Sequence, residues 1–218
     1  MNLSDFFLFR YGSEIIQHSG EHLLLVGISI AIATAVGIPL GILITRLPKL
    51  RQPILGIANV LQTIPSLALF GLLIPVPVIG GIGNIPAIVA LTVYSLLPII
   101  RNTYTGITGV DPAIREAGRG MGMTDRQLLF QVEIPLALGV ILAGVRVATV
   151  IAIGIATIAA AIGAGGLGVF IFQGISNVNN QLLLAGAIPA AVMAVLADFA
   201  LGWLERRLTQ RGGRKPEK

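Results

Sequence analysis

The chain has 218 residues, 55% of them hydrophobic and only 11% charged, with a formal net charge of +5 and a mean hydropathy of +0.88. A soluble domain carries roughly 25% charged residues, so this composition cannot cover a water-facing surface, and most of the exterior must meet lipid. A nucleic-acid binder is excluded too, because the Lys and Arg sit between apolar runs without interleaved aromatics, and the lack of cysteine removes disulfides and thiolate metal sites.

Residues 1–21 lack the Lys/Arg-rich start of a signal peptide, and the apolar run after them is too long for its core, so a true span is expected there. Within 4–18, Phe6, Phe7, Phe9 and Tyr11 cluster as in a short interfacial helix with aromatics at headgroup depth. His18 and His22 stand four apart and could share a metal on a helix face. A helix break expected near Gly20, and the position at a membrane edge, favour ordinary polar roles instead, so no metal site is assigned.

Five apolar segments follow, at 23–45, 54–74, 85–100, 136–162 and 182–204. They suit a hydrocarbon core about 30 Å thick at about 1.5 Å per residue, the third being short. This divides the chain into an outer segment (1–22), one membrane domain (23–205) with a polar loop at about 101–135, and a basic tail (206–218). The links after spans one and three and the tail hold thirteen of the fifteen Lys and Arg, and the links 75–84 and 163–181 hold none. By the positive-inside rule the N-terminus lies outside and the C-terminus in the cytoplasm.

Gln62, Thr63, Pro65 and Ser66 place polar atoms and a helix breaker in mid span two, and Tyr94, Ser95 and Pro98 do so in span three. Such groups either bond across helices or line a path, and both readings stand at this point.

In the loop, Asp111-Pro112 reads as an N-cap followed by proline at the first helical position. A short helix is expected through Glu116, then a tight turn at Gly118, Gly120 and Gly122. Thr124 and Gln127 form a capping-box pattern that starts a second short helix, and Pro135 bends the chain into span four.

Arg146 and Asp198 are the two charges inside spans, at matching depths of roughly 10–15 Å from the basic side. They read as a structural ion pair. A proton relay is the alternative, but it needs more titratable groups than spans one to three contain. Four glycines within 163–168 look like a phosphate loop, yet no Lys-Ser/Thr follows, so a re-entrant turn is expected, with 167–175 as a short outer helix. Phe70, Tyr94 and Tyr104 are too few aromatics to build a cage for a quaternary ammonium from one chain.

Glu116-Ala117-Gly118, then Gly122, then Val132-Glu133-Ile134-Pro135 resemble the EAA loop of ABC importer permeases. That pattern is Glu-Ala-Ala, three residues, Gly, nine residues, then Ile-x-Leu-Pro. The spacing fits throughout, with Gly118 replacing the second alanine and conservative changes at Val132 and Ile134. The segments 62–69, 98–104 and 163–168 are similar to the osmoprotectant subfamily, whose members carry glycine betaine, carnitine or choline. The likeness covers about residues 20–207.

The resemblance implies an all-α integral membrane protein with about five transmembrane helices in a type I ABC importer permease arrangement. Its place would be the plasma (inner) membrane of a bacterium or archaeon. It further implies that the loop is a coupling helix set into a groove of an ATPase subunit. Glu116 would be the polar anchor, Ala117 the point of close approach and Gly122 the turn, with Pro135 leading into span four; glycine at 118 is expected to loosen the helix–turn junction. Spans two and three would face a second permease subunit, identical or paralogous, so that Gln62, Thr63, Pro65, Ser66, Tyr94 and Pro98 become candidates for the translocation lining. ATP and Mg would sit on the partner ATPase, and this chain, without a Walker A motif, would bind no cofactor and hydrolyse nothing. Solute would come from a separate extracytoplasmic binding protein, since no such domain follows the last span. The rivals are a permease of the same architecture for another small solute, such as an amino acid, and an ATP-independent secondary transporter or channel. Five spans, no repeat and no chain of titratable groups disfavour the latter.

Overall fold

The computed structural model describes residues 11–210, and every regular element among them is helical. In order they are α1 (Gly12–Arg46), α2 (Pro48–Thr63), α3 (Ser66–Leu73), α4 (Asn84–Thr108), α5 (Pro112–Gly120), α6 (Asp125–Leu128), α7 (Ile134–Ala159), α8 (Gly168–Ser176) and α9 (Asn180–Gln210). A π turn, Leu129–Glu133, joins α6 to α7, and a 3-10 turn, Ala160–Ile162, closes α7. Four helices are long and apolar enough to cross a membrane, or five if α2 and α3 count as one span broken by a 99° bend. Helices suit that setting because each backbone polar group is satisfied within its own segment.

α4 is the centre of the bundle, flanked by α1 and α7, while α9 packs on α7 and α8. Lipid gives no hydrophobic drive between helices, so close van der Waals approach must hold them. Gly37 and Gly41 of α1 provide it by lying against Ile99 and Thr103 of α4, and Gly144 of α7 sits on Asn102 and the Pro98 carbonyl. Hydrogen bonds cross the seam between α1 and α4: Ser29 Oγ donates to Ile88 O at 3.3 Å and Thr92 Oγ1 to Ser29 O at 3.4 Å.

Two expectations need correction. No break occurs at Gly20; α1 is continuous for 35 residues. At about 1.5 Å per residue it is longer than a bilayer core, and its first turns find other company. Ile15 is buried with Phe170 and Ala185, and the rings of Tyr11 and His18 meet Phe170 edge-on at 5.9 and 5.1 Å. That packing outweighs the cost of about 1 kcal/mol for an interior glycine. Of the interfacial helix expected at 4–18, residues 4–10 lie outside the described ones. Span two breaks at the helix breaker Pro65 as the sequence indicates, because Pro65 cannot donate to the ladder and Ile64 turns extended, with ψ 127°. Span three runs past Arg101 to Thr108, so the polar loop proper begins at Gly109. Arg101 is held there by Asn59 Oδ1 at 3.0 Å, and Arg51 lies over the Tyr104 ring at 4.6 Å.

Candidate coupling site

α5 is built from local signals. Asp111 accepts from the Ala113 N–H at 2.8 Å, and Pro112 occupies the first helical position. The helix then continues through Gly118 to Gly120, so only Gly122, with φ +83°, makes the turn. Met123 N donates to Gly118 O at 3.1 Å and Gly122 N to Arg119 O at 2.9 Å, the paired bonds of a Schellman stop. Thr124 and Gln127 form the reciprocal capping box. α6 lasts four residues and widens into the π turn, so it leads into α7 rather than standing as a separate helix.

That π turn has a consequence at Glu133. Leu128 and Glu133 are both buried, at 0% and 1% exposure. Five residues of α-helix would set them about 140° apart, whereas the wider turn aims both inward. The Glu133 carboxylate accepts from the Arg46 guanidinium at the end of α1 and lies 3.4 Å from Arg115 Nε on α5. Arg115 Nη2 also donates to Ile107 O in the last turn of α4. One buried carboxylate therefore joins the end of α1, the start of α7 and the loop helix.

The outward side of α5 is free. Glu116 and Ala117 are exposed, and Glu116 makes no hydrogen bond or ion pair among the described residues. Elsewhere in the same segment Ile114, Met121 and Phe130 expose 44%, 77% and 57% of their surface. An exposed, unpaired acid on a loop that also exposes apolar side chains can receive a partner. It offers no catalytic constellation.

Residues 37–210 match the sequence profile of the family described as binding-protein-dependent transport system inner membrane component. The chain belongs to this family. The carnitine transport permease protein OpuCB of Listeria monocytogenes is 47% identical over 94% of this chain and 92% of its own length. The osmoprotectant import permease protein OsmW of Salmonella typhimurium is 50% identical over 88% of this chain and 90% of its own. Among solved structures, the MetNI methionine ABC transporter in an inward-facing conformation superposes with TM-score 0.81 at 26% identity, over 96% of this chain and all of that one. These neighbours make the fold that of a type I ABC importer permease.

In this binding-protein-dependent permease the remaining candidate residues separate. Tyr94 and Pro98 are buried. The Tyr94 hydroxyl donates to Ile64 O, the carbonyl at the α2–α3 bend, and Pro98 O accepts from Asn102 Nδ2 at 2.8 Å. Thr63 and Pro65 are exposed at the bend, with Gln62 and Ser66 half-buried beside them. Arg146 Nε lies 3.4 Å from Asp198 Oδ1, and its Nη1 is 3.3 Å from Glu205 Oε2, a third member that sequence reasoning missed. At the opposite end Gly163, Gly165 and Gly166 all have φ near +75°, and Gly166 N donates to Glu21 Oε2 at 2.9 Å. His22 Nε2 bonds Ile153 O at 3.1 Å, and His18 Nδ1 bonds Glu21 Oε2 at 2.9 Å. Phe70 is fully buried, and one face of the Tyr104 ring is taken by Arg51.

Glu133, Arg46 and Arg115 were also missed as a group. The available signal was an acidic residue in an apolar lead-in to a span, opposite two basic links.

Proposed function

We propose that this chain is the permease subunit of an ATP-driven importer for an osmoprotectant such as glycine betaine, carnitine or choline. The solute assignment follows relatives that are named as permeases for carnitine, choline or osmoprotectants and are 43–50% identical over nearly their full length. In this reading the end bearing Arg46, Arg101 and Arg206 faces the cytoplasm, as the basic residues require. Two such permeases enclose the path, with Gln62, Thr63, Pro65 and Ser66 at the α2–α3 bend on its lining. Tyr94 supports that bend from inside, while Pro98 is buried further along α4 against α7. Two ATPase subunits receive the α5 helices, and their closure on ATP rocks the bundles between outward and inward access. A separate binding protein delivers solute to the uncharged outer loops. ATP and Mg belong to the ATPase.

The observation that carries this reading is Glu116: exposed, unpaired, and set on a helix capped at Asp111 and stopped at Gly122. A groove on a partner can take that helix end with the carboxylate as its polar anchor. The test is co-purification. Glu116→Lys is expected to insert normally and lose the ATPase, and with it uptake of labelled glycine betaine. Normal ATPase binding and uptake in that variant would overturn the reading.

A further inference from the structure

We propose that Glu133 is the joint that passes movement of the α5 helix to the membrane bundle, acting as a positioning residue through Arg46 and Arg115. The inference rests on the importer reading and adds a residue and a linkage to it.

The physical case starts from how lightly α5 is held. It packs chiefly on α6 and the π turn, and Gly118 lies against Leu128 and Met123. Besides the exposed Arg119–Asp125 pair with α6 at 3.9 Å, its charged tether is Arg115, which reaches Glu133 and the Ile107 carbonyl of α4. Glu133 in turn binds Arg46, which sits 87 residues earlier at the end of α1. A buried carboxylate cannot give up its cations without being left charged and unpaired in a low-dielectric interior, which is strongly unfavourable. When α5 shifts, Glu133 must move with Arg115, or Arg46 must follow Glu133. Either way the ends of α1 and α7 are drawn along.

The exposures fit a joint rather than a dead anchor. Glu133 is 1% exposed, while the Arg115 and Arg46 side chains retain 24% and 34%. The partly exposed stems let both cations keep hold of the acid while the helices they belong to change angle. Contact is unequal, with Arg46 hydrogen-bonded to the carboxylate and Arg115 Nε at 3.4 Å without good hydrogen-bond geometry. One carboxylate shared unevenly by two guanidiniums can exchange its tighter partner when α5 is pushed. The π turn is what makes this possible, because it keeps Glu133 inward where regular helix would turn it away. Such turns mark functional positions in many helices.

The experiment has two arms. The chain contains no cysteine, so Leu47→Cys with Gly120→Cys allows a spin-label distance between the end of α1 and the end of α5 in the full chain. A narrow distribution is expected, broadening in both Glu133→Gln and Arg46→Gln. In the second arm the permease is reconstituted in liposomes with its ATPase and binding protein. Glycine betaine uptake per ATP hydrolysed is expected to fall about tenfold or more in each variant, the size of a lost charge-assisted bond, while ATPase co-purification is retained. The double variant should be no worse than Glu133→Gln alone. Arg46→Gln keeps the test open should Glu133→Gln fail to fold, because it leaves Glu133 with Arg115.

An unchanged distance distribution in both variants overturns the joint. So does an unchanged uptake per ATP with only less complex assembled, since that is what a purely structural contact would give. If the unsubstituted complex hydrolyses ATP without response to any betaine, the importer reading fails instead, and the distance arm still decides the linkage.

Discussion

Gly118 lies so close to Leu128 that a methyl group added at its Cα would come within 2.8 Å of Leu128 Cδ1, and within 3.2 Å of Met123 Sδ. The glycine therefore tightens the union of α5 and α6, the reverse of the loosening expected from its sequence. Both opposing atoms are tips of flexible side chains. Gly118→Ala is expected to fold and transport close to the parent, since about 1 kcal/mol of helix propensity offsets the shift of those tips. Gly118→Leu should cost about 1–3 kcal/mol by overpacking. Melting temperature in detergent checks both. A strongly destabilised alanine variant would show that Leu128 cannot move.

Gly122 differs in kind, because its φ of +83° is strained for any residue with a Cβ. Gly122→Ala is expected to cost about 1–2 kcal/mol although no atom stands within 4 Å of the added methyl. Gly120→Ala, equally uncrowded but in helical conformation, should be neutral or slightly stabilising. Melting curves of the two variants separate backbone strain from crowding, and equal costs would remove the strain argument.

What could be read from sequence follows the range of each interaction. The Asp111 cap and the Thr124–Gln127 box act within three residues, so residue types at the right spacing were sufficient. Arg146 and Asp198 were legible because a charge inside an apolar span demands a partner at equal depth. Gly20 misled, since its low helix propensity is overruled by Ile15 packing on Phe170 and Ala185. Glu133 was hidden for a different reason. Its bond to Arg46 spans 87 residues, and its inward aim depends on a π turn that has no compositional mark. Glu205 likewise joins Arg146 only because α9 stays helical well beyond the apolar run.

At the bend between α2 and α3, Tyr94 and Thr63 should behave oppositely. Tyr94→Phe leaves the Ile64 carbonyl without its donor, at a cost of about 1–3 kcal/mol for a buried group left unpaired. Thr63 bonds only Val60 O in its own helix, at 2.7 Å, and is exposed. Thr63→Val is expected to keep stability while altering glycine betaine uptake, as a lining position would. Thermal unfolding and uptake on the same two variants test this, and a Thr63→Val protein with unchanged uptake removes the residue from the lining.

Arg146 faces two acids, Asp198 and Glu205, and its side chain crowds Gly202 of α9. Asp198 is about half exposed and Glu205 less so, so losing either acid alone leaves the guanidinium one partner. Asp198→Asn is therefore expected to be mild. Arg146→Met strands two carboxylates beside each other and should be severe. In a double-mutant cycle the pair is expected to show a coupling of about 0.5–3 kcal/mol, so that Arg146→Met with Asp198→Asn is less damaged than the sum of the singles. Exchanging the charges, Arg146→Asp with Asp198→Arg, should restore more assembled protein than either reversal alone, though Glu205 would then face an aspartate at 146 and limit the recovery. Adding Glu205→Gln to the exchanged pair should lift that limit. Independent, additive losses across the cycle would mean that the three charges share a place without sharing a bond.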